Sequence, residues 1–326
     1  MNIDSKFLLI CGFPSSGTDL LMNILNAHSE VFLGSEFPLL PKLADQYSAN
    51  VPATLVPAAV KDIVSCDIYG CLGNAHKTDI GPFDQTFAHI YTSLLTPDTF
   101  QVYGNKTPQN SEQIDDLEHL FPGSYYVLIV RDIRDVALSW KRKWGKDELL
   151  CAHKWTSRMQ RAAKTLKQLC PDRHIIVRYE DLLVDYKAVA HDICDLINLA
   201  YDPRIDNFQD HVDEIVPGKI NYGQPVKPAN TAKWRDGLDS SVVRRIEEIA
   251  FNSMKQFGYP VELATNERAI SRMEFVAGRA RDLAAILFVG NRAAPENRFS
   301  TLRTAIAVEL AKRLGATRPR SSKKKN

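Results

Sequence analysis

The sequence predicts an α/β fold: a three-layer α/β/α core with a central parallel sheet, plus a C-terminal helical extension. Two observations carry that expectation: continuous apolar runs of strand length, and helical periodicity after each of them. Phe7-Leu8-Leu9-Ile10-Cys11 shows no polar alternation and stops at Gly12. Such a run suits a strand buried on both faces, as in a parallel sheet. Leu20, Leu21, Ile24 and Leu25 then recur at helical spacing, and the pattern fades near His28. The second run, Tyr125-Tyr126-Val127-Leu128-Ile129-Val130, ends at Arg131-Asp132, and Val136, Ala137 and Trp140 follow on one side of a helix. The third, His174-Ile175-Ile176-Val177-Arg178-Tyr179, precedes a helical segment from Glu180 through Leu199.

Residues 37–103 carry Pro38, Pro41, Pro52, Pro57, Pro82 and Pro97, which predicts short helices and loops. Val216 to Pro228 reads as an extended loop, and Ser240 to Phe257 as a helix. A boundary near Val261 separates a main domain, 1–262, from a basic extension, 263–326, with helices over 264–314 and a disordered lysine-rich end from Arg318 to Asn326. Residues 264–326 hold 14 Lys and Arg against 5 Asp and Glu, a net +9, so the remainder of this +2 chain carries −7. A basic tail on an acidic body suits contact with an anionic surface or folding back on the body. The plainer reading is a solvated helical face.

Cys11, Cys66, Cys71, Cys151, Cys170 and Cys194 form no CxxC pair, and their spacing suits neither zinc nor a disulfide framework. Buried free thiols in a reducing compartment are expected. The N-terminal apolar run and Ala284–Val289 are both too short to span a bilayer. The chain is therefore expected to be cytoplasmic, without a transmembrane segment or a nucleic-acid partner.

Gly12-Phe13-Pro14-Ser15-Ser16-Gly17-Thr18 joins the first predicted strand to a helix. Unpaired N–H groups at such a helix start favour an anion. Gly12 and Gly17 let the backbone curl close to a phosphate, and Thr18 adds a hydroxyl donor. The spacing is that of an NTPase P-loop, but Thr18 stands where the lysine belongs. A P-loop kinase, with Val127–Val130 and Asp132 as a Walker-B-like strand, is one reading; a tight turn that binds nothing is another.

Arg131 and Arg134 lie just past the second run, at the edge where open α/β sheets bind ligands. Arginine recognises phosphate through a planar fork of donors. Arg131 with Ser139, one turn after Asp135, makes a plausible phosphate clamp. Local ion pairs among Asp132, Arg134 and Asp135 are the alternative.

Together these segments resemble the superfamily of sulfotransferases that use 3'-phosphoadenosine 5'-phosphosulfate (PAPS), nearest the branch with tyrosylprotein and bacterial sulfotransferases. Gly12–Thr18 resembles its 5'-phosphosulfate loop and Arg131-Asp132-Ile133-Arg134-Asp135-Val136-Ala137-Leu138-Ser139 its 3'-phosphate motif. Gly104-Asn105-Lys106-Thr107-Pro108, Arg178-Tyr179-Glu180-Asp181-Leu182 and Asn230-Thr231-Ala232-Lys233-Trp234-Arg235 are similar to three further segments, in the family's order. The resemblance implies a P-loop-like core and PAPS as co-substrate, with no metal. It implies that Ser15, Ser16, Gly17 and Thr18 hold the 5'-phosphosulfate and that Arg131 and Ser139 hold the 3'-phosphate. Tyr179, Lys227, Lys233 and Trp234 would lie near the nucleotide. Glu36 falls at the general-base position and Lys106 where a lysine stabilises the sulfuryl group. The acceptor would be a hydroxyl of a carbohydrate, small molecule or protein tyrosine.

One departure stands out. The family usually carries Lys or Arg at the position of Ser15, and serine supplies no charge. Asp19, where threonine is common, sits beside the anion site. Either Lys106, Lys227 or Lys233 replaces the missing charge, or the chain is a catalytically weakened homologue that binds the nucleotide without turnover.

Overall fold

The three apolar runs are strands, and two further strands that the hydrophobic pattern does not reveal complete their sheet. The computed structural model describes residues 6–67, 72, 80, 85–95, 100–211 and 226–288. The strands are β1 (Lys6–Gly12), β2 (Val31–Gly34), β3 (Asn50–Val51), β4 (Gln85–Thr86), β5 (Val102–Lys106), β6 (Tyr125–Val130) and β7 (His174–Arg178). The helices are α1 (Thr18–Asn26), α2 (Val56–Cys66), α3 (Phe87–Leu95), α4 (Ile114–Leu120), α5 (Ile133–Trp144), α6 (Glu148–Leu169), α7 (Tyr179–Val184), α8 (Tyr186–Leu196), α9 (Trp234–Gly237), α10 (Ser240–Gln256) and α11 (Arg272–Phe288).

Five strands form one sheet in the order β2-β5-β1-β6-β7, every pair parallel. β3 and β4 make a separate two-residue antiparallel pair. Alternate residues of each strand enter different cores, as the pleat demands. Phe7, Leu9, Cys11, Phe32, Tyr103, Tyr126, Leu128 and Val130 face a core built with α2 to α6 and α10. Leu8, Ile10, Val31, Leu33, Val102, Val127, Ile129 and Val177 face a second core built with α1, α7 and α8. The sheet is thus covered on both faces, the three-layer arrangement expected from its unbroken apolar strands.

Three local expectations need correction. Residues 37–103 contain the start of a central strand, β5, as well as helices and loops. The helix read from Glu180 to Leu199 is two, because Asp185 ends α7 and then accepts a hydrogen bond from the Ala188 N–H at 3.0 Å to start α8. Residues 264–271 are not helical. Their neighbourhood is pinned by side chains: Glu247 accepts from the backbone N–H groups of Leu263 and Ala264, and Arg245 donates to the carbonyls of Arg268 and Ala269. α11 then docks on α6, with Lys154 paired to Asp282 and Arg281 to Asp147.

Cys11, Cys66, Cys151, Cys170 and Cys194 are buried and unpaired. Cys71, the Lys-rich end and most of the Val216–Pro228 segment lie outside the described residues. No helix among the described residues is long and apolar enough to cross a membrane.

Gly104 lets β5 approach β1: a Cβ there would lie 1.8 Å from the Leu8 carbonyl oxygen and 2.8 Å from Leu33. The obstruction is backbone and cannot swing away. Gly104→Ala is expected to lower stability by about 3 kcal/mol or more, read from the midpoint of urea unfolding monitored by circular dichroism.

Candidate active site

All five strands of the sheet end on the same edge, and the predicted site segments begin there except the one at residues 227–235, which follows no strand among the described residues. β1 leads into Gly12–Thr18, β2 into Glu36, β5 ends at Lys106, β6 leads into Arg131 and β7 into Tyr179. Chain connections leave β1 toward β2 on one side and β6 lies on its other side, so β1 and β6 flank a topological switch point.

The first loop curls through two left-handed residues, Ser15 (φ 72°) and Gly17 (φ 92°). Such turns aim successive N–H groups into a concavity that suits an anion. Ser16 is fully buried at 0% exposure, yet its hydroxyl has no protein partner. A Cβ on Gly17 would lie 2.2 Å from the Tyr179 ring, so only glycine admits that ring against the loop.

Arg131 ties this loop to two others. Its guanidinium donates to the Ser15 carbonyl and to the Asn230 carbonyl, both at 3.0 Å, and stacks over the Tyr179 ring at 4.5 Å. Asn230 closes the ring of contacts by donating to the Tyr179 hydroxyl at 2.6 Å. Asp135 lies 4.0 Å away, at the limit of an ion pair, and the buried Arg131 Nε has no protein partner. Arg131 is therefore held by carbonyls and an aromatic face and keeps its charge largely unspent.

Arg134 has the opposite character. It is 2% exposed and donates to both Asp132 oxygens and to Glu247, at 2.7 Å for the shortest bonds. Its guanidinium also stacks on the Trp234 ring at 4.0 Å. Burial alone would lower its pKa, but Asp132 and Glu247 outweigh that and raise it. The local ion pairs read as an alternative from the sequence hold for Arg134. Asp132 also caps α5 through the Arg134 N–H, so its carboxylate is committed to the fold rather than placed like a Walker-B metal ligand.

The Asn105-Lys106-Thr107 segment grips the Glu36 loop residue against residue. Asn105 donates to the Ser35 carbonyl at 2.6 Å, Lys106 pairs with Glu36 at 2.9 Å, and the Phe37 N–H donates to the Thr107 hydroxyl at 2.9 Å. The Lys106 ammonium is 1% exposed and also meets Asp19 at 2.7 Å. Burial would lower its pKa, but the two carboxylates more than offset this and raise it, so the amine is charged at any physiological pH. Asp19, discordant in the sequence, is thus the closer ion-pair partner of Lys106.

The remaining predicted residues differ in their surroundings. Ser139 is half-buried on α5 with no side-chain hydrogen bond among the described residues. Lys227 and Lys233 are exposed, with no ion pair among the described residues. Trp234 packs on Arg134, and its N–H donates to Asp135 at 3.0 Å. Phe37, Phe87, Tyr91 and Tyr103 are buried in the core. Among the described residues, no group of three or more His, Cys, Asp or Glu is placed to hold a metal ion.

Two residues near the loops were not singled out from sequence. Asn230 bridges Arg131 and Tyr179. Lys143 reaches Ser15, its Nζ lying 3.5 Å from the serine hydroxyl. Asn230 carries a signal only as the first residue of the 230–235 segment, and Lys143 carries none, since its contact joins positions 128 residues apart.

Comparison with known proteins identifies the family and the fold. A family model described as "Sulfotransferase family" matches residues 8–203. Protein-tyrosine sulfotransferase A of Caenorhabditis elegans is 24% identical over 275 residues, 79% of this chain and 68% of that protein. Protein-tyrosine sulfotransferase 2 of Gallus gallus is 22% identical over 297 residues, 81% of this chain and 75% of that one. Among solved structures, the sulfotransferase domain from the Synechococcus PCC 7002 olefin synthase matches with a TM-score of 0.53 at 20% identity, over 80% of this chain and 98% of that domain. The sulfotransferase domain from the curacin biosynthetic pathway matches at 0.51 and 18% identity, over 80% and 100%. Both structural likenesses speak to the fold.

The two arginines are expected to separate experimentally. Arg134→Ala leaves Asp132 and Glu247 buried without their cation and should lower stability by about 3–5 kcal/mol. Arg131→Ala, which frees two carbonyls and loosens one ion pair already at the 4.0 Å limit, should lose less in the same thermal or urea unfolding measurement.

Proposed function

The chain belongs to the sulfotransferase family, and on that premise we propose that it transfers a sulfuryl group from PAPS to a hydroxyl acceptor. PAPS, when bound, supplies the activated sulfuryl group on its 5'-phosphate. The observation that carries the reading is the pairing of two anion cradles by one bond, Arg131 to the Ser15 carbonyl, with the Ser16 hydroxyl and Arg131 Nε buried and partnerless beside it. Buried polar groups without protein partners are rare and suit a polar ligand.

In this reading the N–H groups of Ser15 to Thr18 bind the 5' end. Arg131 and Ser139 bind the 3'-phosphate, and the Tyr179 ring lies alongside the nucleotide. Lys227, Lys233 and Trp234 lie near the nucleotide. Glu36 accepts the proton of the acceptor hydroxyl, whose oxygen takes the sulfuryl group while the electron pair of the broken S–O bond stays on the phosphate. Lys106, in contact with Glu36 and Asp19, holds and orients the base. The names of the tyrosine-specific relatives make a tyrosine hydroxyl the first acceptor to test.

A second reading, nucleotide binding without turnover, is favoured by Ser15, which lacks the usual cation. Binding and transfer assays separate the two.

Saturation with 3'-phosphoadenosine 5'-phosphate, without magnesium, is expected to stabilise the fold by about 2.7 kcal/mol at a hundredfold its Kd. Mg-ATP should give little, and Arg131→Ala should lose the effect. A larger response to Mg-ATP would favour a kinase and overturn the proposal. With labelled PAPS and a tyrosine-containing peptide or phenol, Glu36→Gln should cut the transfer rate by about 10²–10⁴-fold with little change in nucleotide affinity. An unchanged rate would remove Glu36 from its role.

A further inference from the structure

A sulfotransferase with serine at position 15 needs a cation from elsewhere. Lys106, first in line from the sequence, is already neutralised by Asp19 and Glu36. Lys227 and Lys233 are exposed and unpaired among the described residues.

Lys143 is exposed like Lys227 and Lys233, but it alone of these lysines lies against Ser15. It sits in the last turn of α5, where a basic residue suits the helix dipole, beside Lys141 and Arg142. Lys141 is spent on Glu148. Lys143 makes no ion pair among the described residues, and its Nζ lies 3.5 Å from the Ser15 hydroxyl. Its position follows from packing one turn earlier. Phe13 stacks on Trp140 with ring centroids 5.1 Å apart, and Trp140 Nε1 donates to the Pro14 carbonyl at 3.3 Å. Residues 140 and 143 share a helix face, so Trp140 docks the first loop and sets Lys143 over Ser15. The charges that act on the amine come from two other elements: Arg131 beyond β6, and Asp19 on α1.

We propose that Lys143 supplies, from the end of α5, the positive charge that the loop lacks at Ser15, placing an ammonium beside the bond that breaks during sulfuryl transfer. The assignment rests on the sulfotransferase reading above. The ammonium balances the electron pair left on the phosphate oxygen, and the acceptor proton still leaves to Glu36. Burial first, and Arg131 second, lower the Lys143 pKa, while Asp19 raises it. A shift below the ordinary lysine value means that the charge is lost as pH rises through that lowered value.

The test compares wild type, Lys143→Ala, Lys143→Arg and the double variant Lys143→Ala with Ser15→Lys. Lys143→Ala should lower transfer by about 10²–10³-fold, the effect of losing one donor to developing charge, with little change in affinity for 3'-phosphoadenosine 5'-phosphate. Adding Ser15→Lys to it should restore most of the rate. Lys143→Arg should keep activity and move the alkaline limb of the pH–rate profile upward, since guanidinium stays charged. Independently of turnover, acylation of Lys143, followed by mass spectrometry, should slow when the same nucleotide is bound. Wild-type transfer with an unaffected Lys143→Ala, failure of Ser15→Lys to restore the rate, or acylation indifferent to the nucleotide overturns the assignment and leaves the parent reading standing. A wild-type chain that neither binds this nucleotide nor transfers from PAPS overturns both.

Discussion

The candidate site depends on parallel pairing. β2, β5, β1, β6 and β7 all run the same way, so their carboxyl ends share one edge. A single antiparallel strand among the central three would carry its loop to the far edge. The pairing also fixes depth: Leu9 faces Asn105 and Ile10 faces Lys106 across the β1–β5 ladder. Lys106 therefore rises beside the first loop, within reach of Asp19 at the start of α1. Gly104 permits this close approach, because any side chain there would meet the backbone of β1.

Buried charge is distributed unevenly over that edge, and the unevenness separates scaffold from chemistry. Arg134 is matched by Asp132 and Glu247, and Glu247 spends its remaining capacity on the N–H groups of Glu262, Leu263 and Ala264. That cluster fastens α10 and the segment after it to the start of α5, and a saturated cluster has nothing left for a ligand. Arg131, three residues earlier, meets carbonyl dipoles and an aromatic ring, with Asp135 only at the 4.0 Å limit of an ion pair. A dipole satisfies geometry without cancelling charge, so Arg131 can still attract a phosphate. The same contrast distinguishes Lys106, held by two carboxylates, from Lys143, held by none.

The clamp around Glu36 extends this logic to the proposed base. Asn105 and Thr107 hold the backbone on either side of it, while Lys106 takes the side chain itself. Asn105 is in turn held by Thr107 and Asn110, which donate to its side-chain oxygen at 2.6 and 3.1 Å. A base fixed through its neighbours' backbone keeps its position when the cleft fills, which is what alignment with an acceptor hydroxyl requires.

What the sequence determined by itself was everything written in local pattern: three buried strands, the glycine loop, the helices after them and the motifs at their junctions. Apolar runs at Phe7 and Tyr125 reveal strands because both faces of each are dry, while the run at His174 marks an edge strand that leaves Ile176 exposed. β5 escaped notice because Gly104, Asn105 and Lys106 replace the apolar residues that mark a strand, and β2 because four residues make too short a run. Only the tertiary structure decided how charges pair. It assigned Asp19 to Lys106, locked Arg134, left Arg131 open, and brought Lys143 over Ser15. Those pairings join residues tens to more than a hundred positions apart. Coulomb interactions act through space while sequence records only adjacency along the chain, so folding alone could match each charge with its partner.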